Sequence, residues 1–154
     1  MCRSISSREA FLDIHINYLA VLVAAVAYFV IGAVWYMALF GKIWSQLMGF
    51  NKLTKSQSKA MKEKMGMSMA INFVACLLAS YCMAHSVLSG SAFYHVTGVV
   101  AGLQSGFWIW LGFIATSQIN SVIWDGRPVK LYLINVGYYL VSYLAVGSIL
   151  AVWQ

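Results

Sequence analysis

The chain has very little charge. Of its 154 residues only 9% are Asp, Glu, Lys or Arg, against about 25% in an ordinary soluble domain. Just 4 of them are acidic, so paired carboxylates for acid–base chemistry are absent. The scarcity is also patterned. No charged residue occurs from Ile14 to Gly41, from Met65 to Trp124, or from Leu131 to Gln154. With 62% hydrophobic residues, a water-soluble fold of this size could not cover its own surface. Crossing about 30 Å of hydrocarbon takes roughly 20 apolar residues as a helix. The first and third windows hold one crossing each. The middle window holds two, parted by the more polar stretch Ser86–His95.

These lengths predict an all-α, four-transmembrane-helix bundle forming a single integral membrane domain over 1–154. The spans are expected near 17–40, 67–88, 97–120 and 131–152. A lone span in lipid has to satisfy its own backbone hydrogen bonds, which makes it helical, and the long continuous runs lack the short alternation of a β-barrel. The first run continues to Phe40, beyond the roughly 7–15 apolar residues of a cleaved signal. It is therefore expected to remain as a span.

Lysine and arginine favour the cytoplasmic side. Arg3 and Arg8 fall on the side of the termini. Lys42, Lys52, Lys55, Lys59, Lys62, Lys64, Arg127 and Lys130 fall on the other. Eight against two predicts both termini outside the cytoplasm. Tyr18, Tyr94 and Trp153 at one edge and Trp35, Tyr36, Trp44 and Trp124 at the other suit headgroup depth.

The basic loop, 41–66, is the most water-compatible segment. Thr54 followed by Gln57 has the form of a capping box. Leu53, Ala60, Met61 and Met65 then share a face, which predicts a short basic amphipathic helix in this first inter-helix loop. Lys42, Lys55, Lys59, Lys62, Lys64 and Arg127 are candidate contacts to headgroups or anionic lipid, each Lys worth about 1 kcal/mol near such a surface. Their plainer role is to fix topology. A charge of +6 concentrated in a membrane-tethered loop gives no reason to expect nucleic acid.

Within the spans, Gly98, Gly102, Gly106 and Gly112 share a face with Ala101, Ser105, Thr116 and Asn120. Small residues let helix backbones approach closely, so this face should meet another helix, in the same chain or in a second copy. Gly147 with Ala151, and Ala20 with Ala24, are lesser versions. Tyr36, Asn72, Thr116, Asn120 and Asn135 are expected within roughly 10 Å of the basic edge at 1.5 Å per residue. With Tyr138 they form a candidate polar cluster, either a solute or ion site or plain interhelical bonding of about 0.6 kcal/mol per bond.

Cys82, His85 and His95 are the residues with metal-ligand chemistry near the opposite end, joined there by His15. Without close-spaced pairs, no metal and no cofactor is expected. No nucleophile–base set or nucleotide loop is present, and an enzyme is not expected. Asp125-Gly126 reads as a turn, with Pro128 suited to the first helical position.

The segment around Asn17, Gly32, Trp35, Tyr36, Phe40, Gly41, Lys42 and Trp44, together with Gly112, Thr116, Asn120, Gly126, Arg127, Pro128, Asn135, Gly137 and Tyr138, resembles the bacterial membrane-protein family catalogued as domain of unknown function 1761. The resemblance covers about residues 15–153. It implies a four-helix inner-membrane protein, assigns no activity, and singles out Trp35, Tyr36, Lys42, Asn120, Arg127 and Asn135. The function expected is that of a non-enzymatic accessory or self-associating membrane subunit. The alternative is a small-solute transporter or channel built by an oligomer.

Overall fold

A computed structural model describes residues 16–153. Five helices make up the described chain, with no strand among them. They are α1 (Tyr18–Leu39), α2 (Gly41–Leu47), α3 (Lys55–Tyr94), α4 (Gly98–Ile123) and α5 (Val129–Val152). All but α2 are long and apolar enough to cross a membrane. They run alternately up and down as a helical bundle. Arg3, Arg8 and His15, which entered the charge and histidine readings, lie outside the described residues.

Asn17 starts the bundle and also closes it. Its side-chain oxygen accepts from the Leu19 and Ala20 amides at 3.1 and 3.2 Å, capping α1, and its Nδ2 donates to the Trp153 carbonyl at 3.0 Å. One end of the bundle therefore holds the ends of α1 and α5. The opposite end holds α2, the start of α3 and the Asp125–Pro128 turn, and it carries the lysines. It is called the basic end below.

The core is built on small residues. Ala20, Ala24 and Ala25 are fully buried and let α1 approach its neighbours. Cys76, Ser80, Met83, Ala84 and Val87 form the buried stripe of α3. Tyr28, Tyr138, Val146 and Leu150 complete the interior. On the outside, Leu19, Val30, Ile71, Val100, Phe113 and Leu133 are exposed. A belt that apolar matches hydrocarbon, not water.

The basic helix of the first loop is present and leads into the second span. Its capping box forms, with Thr54 Oγ1 accepting from the Gln57 amide and Gln57 reaching back to the Thr54 amide at 2.9 Å, and the helix it starts continues unbroken into the span. Three expectations are corrected. The polar stretch Ser86–His95 does not interrupt that helix: it stays helical to Tyr94 and ends where His95 turns left-handed at φ 54°. Small polar residues are tolerated in a helix, and nothing before His95 breaks the hydrogen-bond ladder. At 40 residues, α3 is about 60 Å long, twice the thickness of a hydrocarbon core.

The glycine stripe is the second correction. Gly102 and Gly106 are buried against α5, where an added Cβ would run into the backbone at Gly147 and Tyr143. The partner helix is thus in the same chain. Gly98 lies instead at φ +66°, a turn position open to space, and Gly112 has nothing within 4 Å of where a Cβ would be. The reason for Gly112 is a change of helix type, since α4 runs as a π-helix over Trp110–Ala115. Each residue inserted by i→i+5 bonding rotates the remainder of the helix by about 100°, so a face drawn at constant 3.6-residue spacing no longer applies. Finally, Pro128 is the residue before the helix, its carbonyl accepting from Leu131 at 2.9 Å.

Candidate functional site: a groove at the basic end

The buried stripe of α3 has a continuation. Met65, Ser68, Met69 and Asn72 precede Cys76 at helical spacing on the same face, yet residues 59–72 are exposed throughout. This face is core in one half of the bundle and borders open space in the other. The space is a cavity of about 520 Å³ between α3, α1 and α5, floored by Trp44 of α2 and by Met48 just after it.

The far wall is held by a lock between α1 and α5. α1 also becomes a π-helix, over Val34–Leu39. The widened turn lets adjacent residues Trp35 and Tyr36 both reach α5. The Trp35 indole N–H donates to the Ile134 carbonyl at 3.1 Å, and the Tyr36 hydroxyl donates to Asn135 Oδ1 at 3.0 Å. From the other side, Trp110 in the second π-helix donates to the Val136 carbonyl at 2.8 Å. Three consecutive residues of α5 thus take hydrogen bonds from two π-segments.

Glycines make room for this. A Cβ on Gly32 would stand 3.0 Å from the Tyr138 hydroxyl, and one on Gly137 would stand 3.3 Å from the Trp35 ring. Each helix offers a glycine to the other's aromatic side chain. Gly41 is required for another reason: a Cβ there would meet the Tyr36 carbonyl at 2.9 Å, where the chain folds back from α1 into α2. That fold brings Trp44 to the Tyr36 ring at 5.1 Å and Phe40 to the Trp35 ring at 4.8 Å. The string from Trp35 to Trp44 is one folded corner that forms the floor and one wall of the groove.

Of the six residues expected to cluster, Tyr36, Asn72, Asn135 and Tyr138 line this groove. Thr116 and Asn120 do not. Thr116 is exposed and donates to the Gly112 carbonyl of its own helix at 2.6 Å, and Asn120 is exposed at the turn into Asn120–Ile123. The π-segment that displaced Gly112 displaces these two as well, and brings in Gln118 instead. Sequence reasoning missed Gln118, Tyr139, Trp44 and the methionines Met37, Met48, Met65 and Met69. Tyr139 was visible beside Tyr138 but was not placed in the cluster.

Among these polar groups, the Tyr36–Asn135 bond is the one side-chain hydrogen bond formed between described residues. Asn72, Gln118 and the Tyr139 hydroxyl make none, and Asn135 keeps its Nδ2 donor uncommitted. Among the described residues no Asp, Glu, His, Lys, Arg or Cys lines the cavity.

The other candidates are dispersed. Lys42, Lys55, Lys59, Lys62, Lys64 and Arg127 are all exposed at the basic end. Lys55, Lys59 and Lys62 border a shallow depression with Leu53 and Ser58, and Arg127 donates its backbone N–H to the Ser121 carbonyl at 2.9 Å. Cys82, His85 and His95 stay apart. His85 rests edge-on against Tyr81 at 4.8 Å and His95 ends α3. Among the described residues no three His, Cys, Asp or Glu come together as metal ligands.

Neither the curated proteins nor the solved structures give a match to this chain. A family does match, over residues 19–151, which spans all four long helices and every residue of the groove. The chain belongs to the family described as "Protein of unknown function (DUF1761)".

Proposed function

We propose that the protein is a non-enzymatic membrane component that works by holding an uncharged lipophilic molecule in the groove at its basic end. One observation carries the reading: the face of α3 that is core at one end borders open space at the other, among polar groups with unused hydrogen-bonding capacity. In hydrocarbon an unpaired polar group is costly, so these groups call for water or for a ligand's polar atoms. A volume of about 520 Å³ lies within the usual 300–1,000 Å³ of ligand sites. Methionines on the rim supply an adaptable apolar surface. Among the described residues no carboxylate, histidine, lysine or arginine lines the groove, which favours binding over catalysis, since intramembrane acid–base chemistry depends on such groups.

In this reading the protein lies in a bacterial inner membrane with the basic end cytoplasmic, because eight lysines and arginines gather there. The groove then opens to the inner leaflet. An accessory role, presenting the held molecule to another membrane protein, fits an otherwise inert bundle. Self-association has lost its main support, because Gly102 and Gly106 are already occupied by α5. A solute route through a single chain would have to pass the opposite end, where Ala20, Ala24, Val87 and Leu150 are fully buried.

Native mass spectrometry of protein released from membranes tests the proposal. The wild type should retain a lipophilic adduct, and Met69→Trp, which fills the groove from an exposed position, should lose it. A wild type without adduct, or an adduct indifferent to Met69→Trp, overturns the reading.

A further inference from the structure

The groove's polar groups differ in what they lack. With the Tyr36 hydroxyl donating to Asn135 Oδ1, the Nδ2 of Asn135 is left as a donor. Asn72 and Gln118 each bring an amide NH₂, and Tyr139 brings a hydroxyl. Donors therefore converge from α3, α4 and α5. Beside them stands a chain of aromatic rings, each tilted by 53–60° to the next: Trp44 to Tyr36 at 5.1 Å, Tyr36 to Tyr138 at 5.1 Å, and Tyr138 to Tyr139 at 4.9 Å. Flat π-faces of this kind favour a flat partner at offset-stacked or edge-on geometry.

The charge balance narrows the choice further. No cation lines the cavity to hold a phosphate, and no anion to hold an amine. A phospholipid headgroup would have to leave its charge unpaired in a low-dielectric site, a cost of several kcal/mol. A neutral ring bearing carbonyl oxygens matches every feature. Its oxygens accept from the amides and hydroxyl, its plane lies against the tyrosines, and an apolar tail leaves past Met37, Met65 and Met69 toward the lipid.

Resting on the groove reading above, we propose that the molecule held is a lipid-soluble quinone, a carbonyl-bearing ring with an isoprenoid or alkyl tail, bound without chemical change. Amides with free NH₂ donors, a chain of tilted aromatic rings and, among the described residues, the absence of lining charge are the three observations behind it.

The test uses the full chain in phosphatidylcholine nanodiscs, titrated with a decyl-substituted benzoquinone while tryptophan fluorescence is monitored. Quinones quench nearby indoles, and Trp44 forms the floor of the groove. The wild type should show a saturable quenching component above linear partitioning into lipid. Trp44→Phe should lose most of that component. Gln118→Leu and Asn135→Leu should each weaken binding about tenfold, equivalent to about 1.4 kcal/mol. Gln118 makes no side-chain hydrogen bond, so its variant stays informative if Asn135→Leu disturbs the Tyr36 contact. Gly112→Ala, on another face, should bind as wild type. Strictly linear quenching overturns the proposal, as does saturation unchanged in both leucine variants. If the adduct seen by mass spectrometry persists and responds to Met69→Trp while quinone fails to saturate, the ligand class is wrong and the groove reading stands. If the adduct is missing too, both fall.

Discussion

An alanine at Gly102 would place its methyl carbon inside the backbone of Gly147, where no side-chain rotation relieves it. The helices must separate, and overpacking of this kind costs about 1–3 kcal/mol. Thermal unfolding of Gly102→Ala in detergent should show a loss of that size. Gly112→Ala should be neutral or up to about 1 kcal/mol stabilising, because an exposed helical glycine gains from a Cβ. Equal effects at the two sites would refute the account of the stripe. Ser80 gives a third case. It is fully buried and its hydroxyl has no hydrogen-bond partner, so Ser80→Ala should raise the melting temperature, given that burying such a group costs about 1–3 kcal/mol; a lower one would mean that the hydroxyl has an unseen partner. At this scale the sequence was half legible. It marked Gly102 and Gly106 as contact residues, but Gly98 and Gly112 look identical to them in one dimension. Only backbone conformation and the rotation of the helix tell them apart.

Two π-segments, Val34–Leu39 and Trp110–Ala115, determine which side chains meet. Neither leaves a mark in hydropathy, because widening a turn changes no residue. Tyr36, Asn72, Asn135 and Tyr138 could therefore be placed from spacing and depth, whereas Gln118 could not: it lies beyond a π-segment that no periodic reading contains. Trp110→Phe removes the indole N–H that ties this segment to Val136. It should cost about 0.6 kcal/mol and up to about 1.7, the range for hydrogen bonds between membrane helices. Unfolding in detergent measures it, and a stability equal to wild type would mean that the π-turn does not depend on the bond. The capping box at Thr54 was legible because it is local chemistry over four residues. Its loss should also stay local. In Thr54→Ala, amides of residues 56–60 should exchange faster with deuterium by a factor of about five, as expected for about 1 kcal/mol, while those of Cys76–Val87 stay unchanged. Acceleration reaching the core stripe would show that the start of α3 is not energetically separate.

At the scale of the molecule, four helices long and apolar enough to cross a membrane were readable from three charge-free windows, since length and composition alone decide that property. The length of α3 was not, because charge and polarity end a membrane span without ending a helix. Sidedness is tested directly: Lys59→Cys, with Cys2, Cys76 and Cys82 replaced by serine, should react with a membrane-impermeant maleimide only from the cytoplasmic face. Labelling from outside the cell would invert the proposed orientation. The hydrogen bonds that join α1 to α5 also bear on how the protein is made. Asn17 waits for Trp153, Trp35 for Ile134 and Tyr36 for Asn135, pairs 136, 99 and 99 positions apart. At translation rates of about 5–20 residues per second, the first helix waits roughly 5–27 s before its partners leave the ribosome. During that interval its amide, indole and phenol lack the acceptors they have in the finished fold, so a nascent chain stalled before Val129 should be a substrate for membrane quality-control proteases in a way the completed chain is not.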